Sequence, residues 1–315
     1  MRHLLDQQCG VVSRAQLLAL GLRAHDIERL VRRRDLSTLR RGVYVDHTGE
    51  PTWVQHAWGA VLLCRSRPTA DAHHEESAAL RGRSALVAAG CAPPTGAQLE
   101  LVVADGRRLA VPTDIDVRRS TPALSLVQWH LSPPRLRLEE AVLDVATRQR
   151  RMVDLVAELS RAVGSRRTTA ARLLTCADAR GRIPQRDVLS DVLRDLAEGT
   201  CSALEHAYLT RVERPHALPS PHRQSRGRSR TAVVYRDAEY DGLVVELDGR
   251  AWHDSVEQRD RDADRDLLTA VAGATTVRLT WGQVYDRYCW TAGQVARLLG
   301  ATPRRCGPGC TVDAV

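Results

Sequence analysis

The 315-residue chain contains no lysine, so all 46 of its basic residues are arginine. Against 38 acidic residues they give a formal net charge of +8 and an isoelectric point near 9.4. Because the arginine guanidinium binds phosphate through paired hydrogen bonds, such a surface favours a polyanion, nucleic acid above all. Genomic composition is the alternative explanation of the arginine bias. The same absence excludes a catalytic lysine amine.

Long apolar runs are also absent, since none approaches the roughly 18–20 residues that span a membrane. The first ten residues, MRHLLDQQCG, lack the apolar segment of a secretory signal. We therefore expect a cytoplasmic protein with no membrane partner, in which the eight cysteines are reduced. Cys306 and Cys310 in CGPGC are the only close pair, and no second pair follows at zinc-site spacing. We expect a tail with two free thiols there rather than a metal site.

The N-terminal pattern predicts a helix, a turn, a basic helix and a hairpin. Ser13 and Gln16 form a capping box, Leu17, Leu18 and Leu20 supply an apolar side, and Gly21 ends the first helix. The second helix turns Ile27, Leu30 and Val31 inward. Its outward basic residues are candidate DNA contacts: Arg23, His25, Arg29, Arg32 and Arg33. This order is typical of a winged helix-turn-helix; a small helical domain with a solvated arginine face is the alternative.

The segments GVVSRAQLLALGL, IERLVRRRDLSTLRRGVYV and HAWGAVLL resemble the N-terminal winged-helix domain of AbiEi-type antitoxins of type IV toxin–antitoxin systems. The resemblance is close over residues 1–45 and looser to residue 150. It implies a DNA-binding regulator that represses its own promoter, with a cognate toxin as a further partner.

Residues 49–195 predict a mixed domain of unknown role. TWVQHAWGAVLLC, HHEESAALRG, LRLEEAVLDVA and VDLVAELSRAV have helical spacing, whereas QLELVVADG and IDVRRS are typical of strands. His73, His74, Glu75 and Glu76 suggest a metal site, but no matching ligands follow at a defined spacing. We expect a helix N-terminus with favourable acids there.

In residues 196–300 we predict an antiparallel sheet with flanking helices. Asp241 and Gly242 predict a two-residue hairpin loop of type I′, which requires positive φ at both positions. That register places Asp237 opposite Glu246 and puts Asp248 on the same face. Opposed carboxylates repel unless a cation neutralises them, which indicates a divalent metal. A sheet edge made soluble by these acids is the alternative, and a longer loop would shift the register.

Two further features flank this hairpin. SALE at 202–205 predicts a helix cap in which Glu205 reaches back to the cap amide, and a place in the metal site is its competing role. The basic stretch HRQSRGRSR predicts either a DNA-tracking segment, through Arg223, Arg226 and Arg228, or a solvated loop. The acid-and-arginine segment at 257–266 predicts an ion-paired helix.

SALE, YRDAEY, GLVVELDGRAWH, QRDRDADRDLLTAV and TTVRLTW resemble, in this order, restriction-endonuclease-like domains related to very-short-patch repair endonucleases, the PD-(D/E)xK fold. The resemblance implies that Asp237 and Glu246 bind Mg²⁺ or Mn²⁺. Asp248 stands where the family usually has lysine. The role of that lysine would therefore pass to Arg236, Arg250, His253 or a second metal. His253 matches the Trp-His of the repair enzymes and is a candidate general acid or base; a plain loop histidine is the alternative.

Together these patterns predict an α+β multidomain protein. Its parts are a winged helix-turn-helix at 1–48, a mixed domain at 49–195, a restriction-endonuclease-like domain at 196–300 and a flexible tail at 301–315. The function expected is DNA binding joined to metal-dependent phosphodiester hydrolysis of double-stranded DNA, with Asp237, Glu246, Asp248, His253 and Glu205 as catalytic candidates. The alternative is a non-catalytic regulator or antitoxin with a degenerate nuclease fold.

Overall fold

The protein is a mixed α/β chain that folds as two compact units, Met1–Val145 and Ala146–Val315. A computed structural model describes residues 1–65, 77–94, 98–106, 109–198, 202–228, 233–248, 267, 270–271 and 273–313. Several sheets and helices occur, as an α+β multidomain fold requires. Within the described ranges, every helix is too short or too polar to cross a bilayer.

The first unit begins with three helices and a three-stranded sheet of order β1-β3-β2. The elements are α1 (Arg2–Gln7), β1 (Val11–Ser13), α2 (Arg14–Ala19), α3 (Ala24–Arg32), β2 (Ser37–Arg40) and β3 (Val43–Val45). The predicted helices and hairpin are therefore present, while α1 and β1 were not predicted. The capping box of Ser13 and Gln16 is formed, and Gly21 follows α2 with a φ of 88°.

A small core lies under these helices. Leu17 and Ile27 are buried in it, with Leu30 and Val31 packed against its edge. The prediction for Leu18 and Leu20 was wrong, because their exposed fractions are 42% and 49%. A short helix of six residues turns only one narrow side to the core, and Leu17 fills it.

Helix α4 (Trp53–Cys64) lies between this sheet and the next one. It is apolar on all faces and almost wholly buried, which is what a helix enclosed on both sides requires. It contacts β1, β2 and β3 as well as β4 (Ala78–Leu80) and β5 (Leu99–Val103). The predicted boundary at 48/49 therefore does not separate two compact units, since residues 1–145 form one unit in which α4 contacts strands of both sheets.

The second sheet of this unit has five strands in the order β6-β5-β4-β8-β7. The remaining elements are α5 (Gly82–Ala88), β6 (Ile115–Arg119), α6 (Thr121–Leu124), β7 (Val127–Gln128), β8 (Arg135–Leu136) and α7 (Leu138–Ala146). Strands β5 and β6 were predicted, but Ala78–Leu80 had been predicted as helix. This segment pairs with both β5 and β8 as a central strand. Residues 73–76 lie outside the described residues.

A buried ion pair supports this sheet. Arg81, which is 6% exposed, bonds Asp144 with its Nη1 at 3.0 Å and also pairs with Asp116. Arg118 approaches the other oxygen of Asp144 at 3.1 Å. The shared carboxylate satisfies charges that would otherwise be costly to bury.

The second unit contains helices and one sheet. Its elements are α8 (Met152–Gly164), α9 (Ala170–Ala179), α10 (Arg186–Glu198), α11 (Ser202–Ala207), a π-helical segment (Tyr208–Glu213), β9 (His222–Arg228), β10 (Val233–Tyr240), β11 (Leu243–Asp248), β12 (Thr275–Thr280), a second π-helical segment (Gly282–Asp286) and α12 (Tyr288–Leu298). The predicted boundary at 195/196 falls inside α10. Asp286 accepts the amide of Met152 at 2.8 Å and so caps α8, which joins this helix to the C-terminal part.

The sheet of this unit has the order β12-β11-β10-β9. The prediction of an antiparallel sheet was wrong for one pair, since β11 and β12 run parallel. The basic stretch, predicted as either a DNA-tracking segment or a solvated loop, forms β9, an edge strand antiparallel to β10. The hydroxyl oxygens of Tyr208 and Tyr240 lie 2.9 Å apart in the interior. This hydrogen bond links the first π-helical segment to the sheet.

The C-terminal segment is not a free tail. Cys310 and Val312 are 5% and 1% exposed, and the amide of Arg304 donates to the carbonyl of His216 at 2.7 Å. A Cβ at Gly293 of α12 would overlap the carbonyl oxygen of Val312, so glycine allows this close approach. The prediction of a flexible tail at 301–315 was therefore wrong over the residues described to 313.

Candidate functional site

The hairpin of β10 and β11 has the predicted two-residue loop. Tyr240 pairs with Leu243, Glu239 with Val244 and Ala238 with Val245. Gly242 has a φ of 73°, whereas Asp241 is not among the residues of positive φ. The turn therefore needs one left-handed residue, not the two of the expected type I′.

Asp237 lies where β10 and β11 cease to pair. Its Oδ2 accepts the backbone amide of Leu247 at 2.7 Å, in place of a main-chain acceptor on β10. The side chain is half-buried. Burial raises the pKa of Asp237 above its ordinary value, and the Leu247 amide opposes this by lowering it.

Glu246 forms an ion pair with an arginine of the neighbouring strand. It pairs with Arg278 in the parallel register of β11 and β12, and its Oε2 lies 3.2 Å from the Nε of Arg278. Only 18% of the Glu246 side chain is exposed. Asp248, two residues on, is half-buried at the end of β11 and has contacts of its own.

Asp237, Glu246 and Asp248 do not fit a Mg²⁺ site as the structure arranges them. Over the described ranges, one group of three or more ligating side chains brings its ligand atoms within 4.8 Å of one another, and it includes none of these carboxylates. Mg²⁺ requires convergent oxygens in near-octahedral geometry. Here Asp237 accepts a backbone amide and Glu246 neutralises an arginine, so the carboxylate oxygens of this hairpin do not converge on a common metal position.

The other predicted members of the catalytic set do not complete it. Glu205 is half-buried near the start of α11, where its side chain has partners of its own. The amide of Ala203 in that helix donates to Asp195 at 2.8 Å, so Asp195 caps the helix. His253, Arg250 and the segment 257–266 lie outside the described residues.

The basic side of α3 is exposed as predicted. Arg23, His25, Arg29, Arg32 and Arg33 all face solvent. Asp26 accepts the amide of Arg23 at 3.0 Å and lies 3.0 Å from Nη2 of Arg29, so it both caps the helix and orients one arginine. The Arg23 amide, followed by His25 and Arg29, lowers the pKa of Asp26 despite some desolvation.

Arg223, Arg226 and Arg228 belong to β9, and their side chains lie outside what the structure describes. A cleft of about 420 Å³ also occurs in this unit, lined by Arg150, Met152, Gln185, Arg186, Asp187, Val188, Arg211, Tyr285 and Asp286. The guanidinium carbon of Arg211 lies 4.5 Å from the centre of the Tyr285 ring, so two residues that line the cleft already contact each other.

The ligating group that the structure does assemble consists of His216, Cys289, Cys306 and Cys310. The Sγ atoms of Cys289 and Cys306 lie 3.4 Å apart, and Nε2 of His216 lies 3.6 Å from Sγ of Cys310. His216, Cys289 and Cys310 are buried, whereas Cys306 is exposed. Cys306 and Cys310 are free thiols, as expected. The sequence did not predict that two further ligating residues, His216 and Cys289, lie close to them.

The two CGPGC thiols titrate differently. Local desolvation of the sulfur, followed by hydrogen bonds with Cys289 and Cys310, raises the pKa of Cys306 even though the residue as a whole is exposed. Burial acts in the same direction on Cys310, but backbone hydrogen bonds from Cys306 and Val312 outweigh it and lower its pKa to about 6. The pKa values of the two sulfurs are therefore shifted in opposite directions, and Cys310 is the one that faces His216.

No family model and no curated protein matches the sequence. Among solved structures, the crystal structure of the RV2827C protein from Mycobacterium tuberculosis is similar to 70% of this chain and 84% of that chain, at 18% identity and a TM-score of 0.37. A likeness of this size shows neither a shared domain architecture nor a shared function.

Proposed function

We propose that this chain is a DNA-binding protein that contacts duplex DNA through the basic side of α3. The observation that carries the proposal is the exposure of five basic residues along one short helix: Arg23, His25, Arg29, Arg32 and Arg33. The order α1-β1-α2-α3-β2-β3 supports a winged helix-turn-helix, in which the second helix of the pair enters the major groove. The hairpin of β2 and β3 would then be the wing.

The exposed guanidinium groups suit phosphate and base-edge contacts alike. Asp26 supports this use of the helix, since it fixes the N-terminal turn and holds Arg29 from one side. A regulator of transcription needs only this binding. No catalysis is included in the proposed role because the hairpin carboxylates are engaged by Arg278 and the Leu247 amide.

The test compares two variants that lose the same charge. One carries Arg29→Gln, Arg32→Gln and Arg33→Gln on α3, and the control carries Arg167→Gln, Arg172→Gln and Arg182→Gln at exposed positions of the second unit. Fluorescence anisotropy with labelled duplex should show at least about a tenfold weaker binding for the α3 variant, since each phosphate or base contact is worth roughly a kcal/mol. An equal loss of duplex affinity in both variants would show that the effect comes from net charge and not from α3.

A metal-dependent endonuclease is the second candidate, favoured by the half-buried carboxyl of Asp237 on β10 and the shielded Glu246 on the neighbouring strand β11. It would require both side chains to leave their present partners and to be joined by residues outside the described ranges, such as His253. Incubation of plasmid and mismatched duplex with Mg²⁺ or Mn²⁺ tests it, with Glu246→Gln as the variant and the exposed Glu50→Gln as its control. Cleavage that Glu246→Gln abolishes and Glu50→Gln retains supports the nuclease. No cleavage with either metal leaves DNA binding as the function.

A further inference from the structure

We infer that His216, Cys289, Cys306 and Cys310 form a structural zinc site in the second unit. The four residues come from three separate segments: the turn after the first π-helical segment, α12 and the C-terminal segment. Each offers one ligand atom, and all four atoms lie within 4.8 Å of one another. Three thiols and one imidazole are the ligand set of a Cys₃His structural zinc site.

The distances agree with a tetrahedral ion. Zn–S bonds of about 2.3 Å and Zn–N bonds of about 2.0–2.1 Å place neighbouring ligand atoms about 3.5–3.8 Å apart. The separations of 3.4 Å between Cys289 and Cys306 and of 3.6 Å between His216 and Cys310 are close to these values. Three thiolates and an imidazole are the soft ligands that select zinc over Mg²⁺ or Ca²⁺.

The histidine is held in the tautomer that a metal requires. Nδ1 of His216 lies 2.8 Å from the carbonyl oxygen of Val212, which can only accept, so Nδ1 carries the proton. In the neutral ring Nε2 then has a lone pair, and this atom faces Cys310. Such a bond from the second ring nitrogen to a carbonyl is the usual support of a zinc-bound histidine.

The backbone around CGPGC is shaped to present both of its sulfurs. The amide of Cys310 donates to the carbonyl of Gly307 at 3.2 Å, and Gly309 has a φ of 77°, which only glycine adopts at little cost. The absence of a side chain at Gly293 allows the C-terminal segment to pack closely against α12. The backbone amide of Arg304 also donates a hydrogen bond to the carbonyl of His216. Four protein ligands fill a tetrahedral site, so the ion would be structural rather than catalytic, and it would fasten the C-terminal segment to α12.

The experiment measures metal in the full chain, purified in reducing buffer without chelator from zinc-supplemented cells. Elemental analysis should find about one zinc per chain in the wild type and in the exposed Cys9→Ser control. After dialysis against a moderate chelator, Cys310→Ser and Cys306→Ser should have lost the ion while the control retains it. Removal of zinc from the wild type should also speed tryptic cleavage after Arg304 and Arg305.

A readout on the wild type alone guards against a variant that fails to fold. Metal-free chain titrated with Co²⁺ should develop the visible absorption and the thiolate charge-transfer band of a tetrahedral sulfur-rich site, saturating at about one equivalent. Zinc well below one per chain together with no such Co²⁺ spectrum would overturn the inference. So would equal metal content in Cys310→Ser and wild type, or a Cys289–Cys306 disulfide found by intact mass in the reduced preparation. These results do not depend on DNA binding.

Discussion

Glu246 and Arg278 face each other across the parallel strands β11 and β12, with Oε2 and Nε 3.2 Å apart. Both side chains are partly shielded, at 18% and 34% exposure. The carboxylate that the sequence assigns to a metal is thus neutralised by the protein's own cation. Any divalent ion at this hairpin must first displace Arg278.

Removal of this arginine should destabilise the second unit modestly. Arg278→Gln is expected to lower the free energy of unfolding by about 1 kcal/mol, the upper end for a partly exposed pair. Urea unfolding followed by circular dichroism measures the midpoint and the free energy of unfolding. The exposed Arg182→Gln is the control. In a double-mutant cycle with Glu246→Gln, the two effects should not add. Additive effects would mean that the ion pair contributes nothing.

Asp237 should make stability depend on pH in the opposite direction from most carboxylates. Because burial raises its folded pKa above the ordinary value of 3.8, its stabilising contribution is present below that value and is lost as pH rises through the folded pKa. Asp237→Asn keeps an oxygen for the Leu247 amide and removes the titration. Its stability relative to wild type should therefore be higher at pH 7 than at pH 3.

Thermal unfolding of both proteins at the two pH values measures this difference. The exposed Asp241→Asn, on the same hairpin, is the matched control and should show a smaller pH effect. A constant difference between Asp237→Asn and wild type would contradict the burial of an ionising carboxyl.

Gly293 should not tolerate a side chain. Gly293→Ala places a methyl group on the Val312 carbonyl, so the C-terminal segment must move, at a cost of about 1–3 kcal/mol for overpacking. The control is Gly181→Ala, where the added methyl meets nothing within 4 Å. Limited trypsin digestion should cut the first variant faster near Arg304 and leave the second unchanged. Equal digestion would show that the segment does not rest on α12.

Local signals predicted much of this fold because their causes lie within a few residues. The capping box of Ser13 and Gln16 and the loop at Asp241 and Gly242 depend on neighbours in sequence, and both are formed. The side chains of α2 were harder to assign, since the adjacent residues Leu17 and Leu18 are buried and exposed respectively. The hydrophobic pattern of so short a helix does not show which of its leucines face the core.

Contacts between distant segments could not be predicted in this way. The arginine opposite Glu246 depends on β12 joining β11 in parallel, which no local pattern in TTVRLTW specifies. The group around Cys310 needs His216 and Cys289, which lie on other elements far along the chain. The only local signal was Cys306 and Cys310 around two glycines and a proline, and half a ligand set is not distinctive.

Helix α4 shows the same limit for domain boundaries. A pattern break near residue 48 suggested the end of a domain, but α4 has no polar face and therefore belongs to the cores on both of its sides. Its uniform hydrophobicity was the available signal, since a helix with one solvated face would show polar residues at regular spacing.

The salt dependence of duplex binding tests the central claim most directly. The logarithm of the association constant should fall linearly with the logarithm of salt concentration, and each phosphate contact contributes about 0.9 to the slope. For the variant with Arg29→Gln, Arg32→Gln and Arg33→Gln, we expect a slope shallower than wild type by about 1–3 units. The control with Arg167→Gln, Arg172→Gln and Arg182→Gln should keep the wild-type slope. Identical slopes in all three proteins would contradict DNA binding through α3.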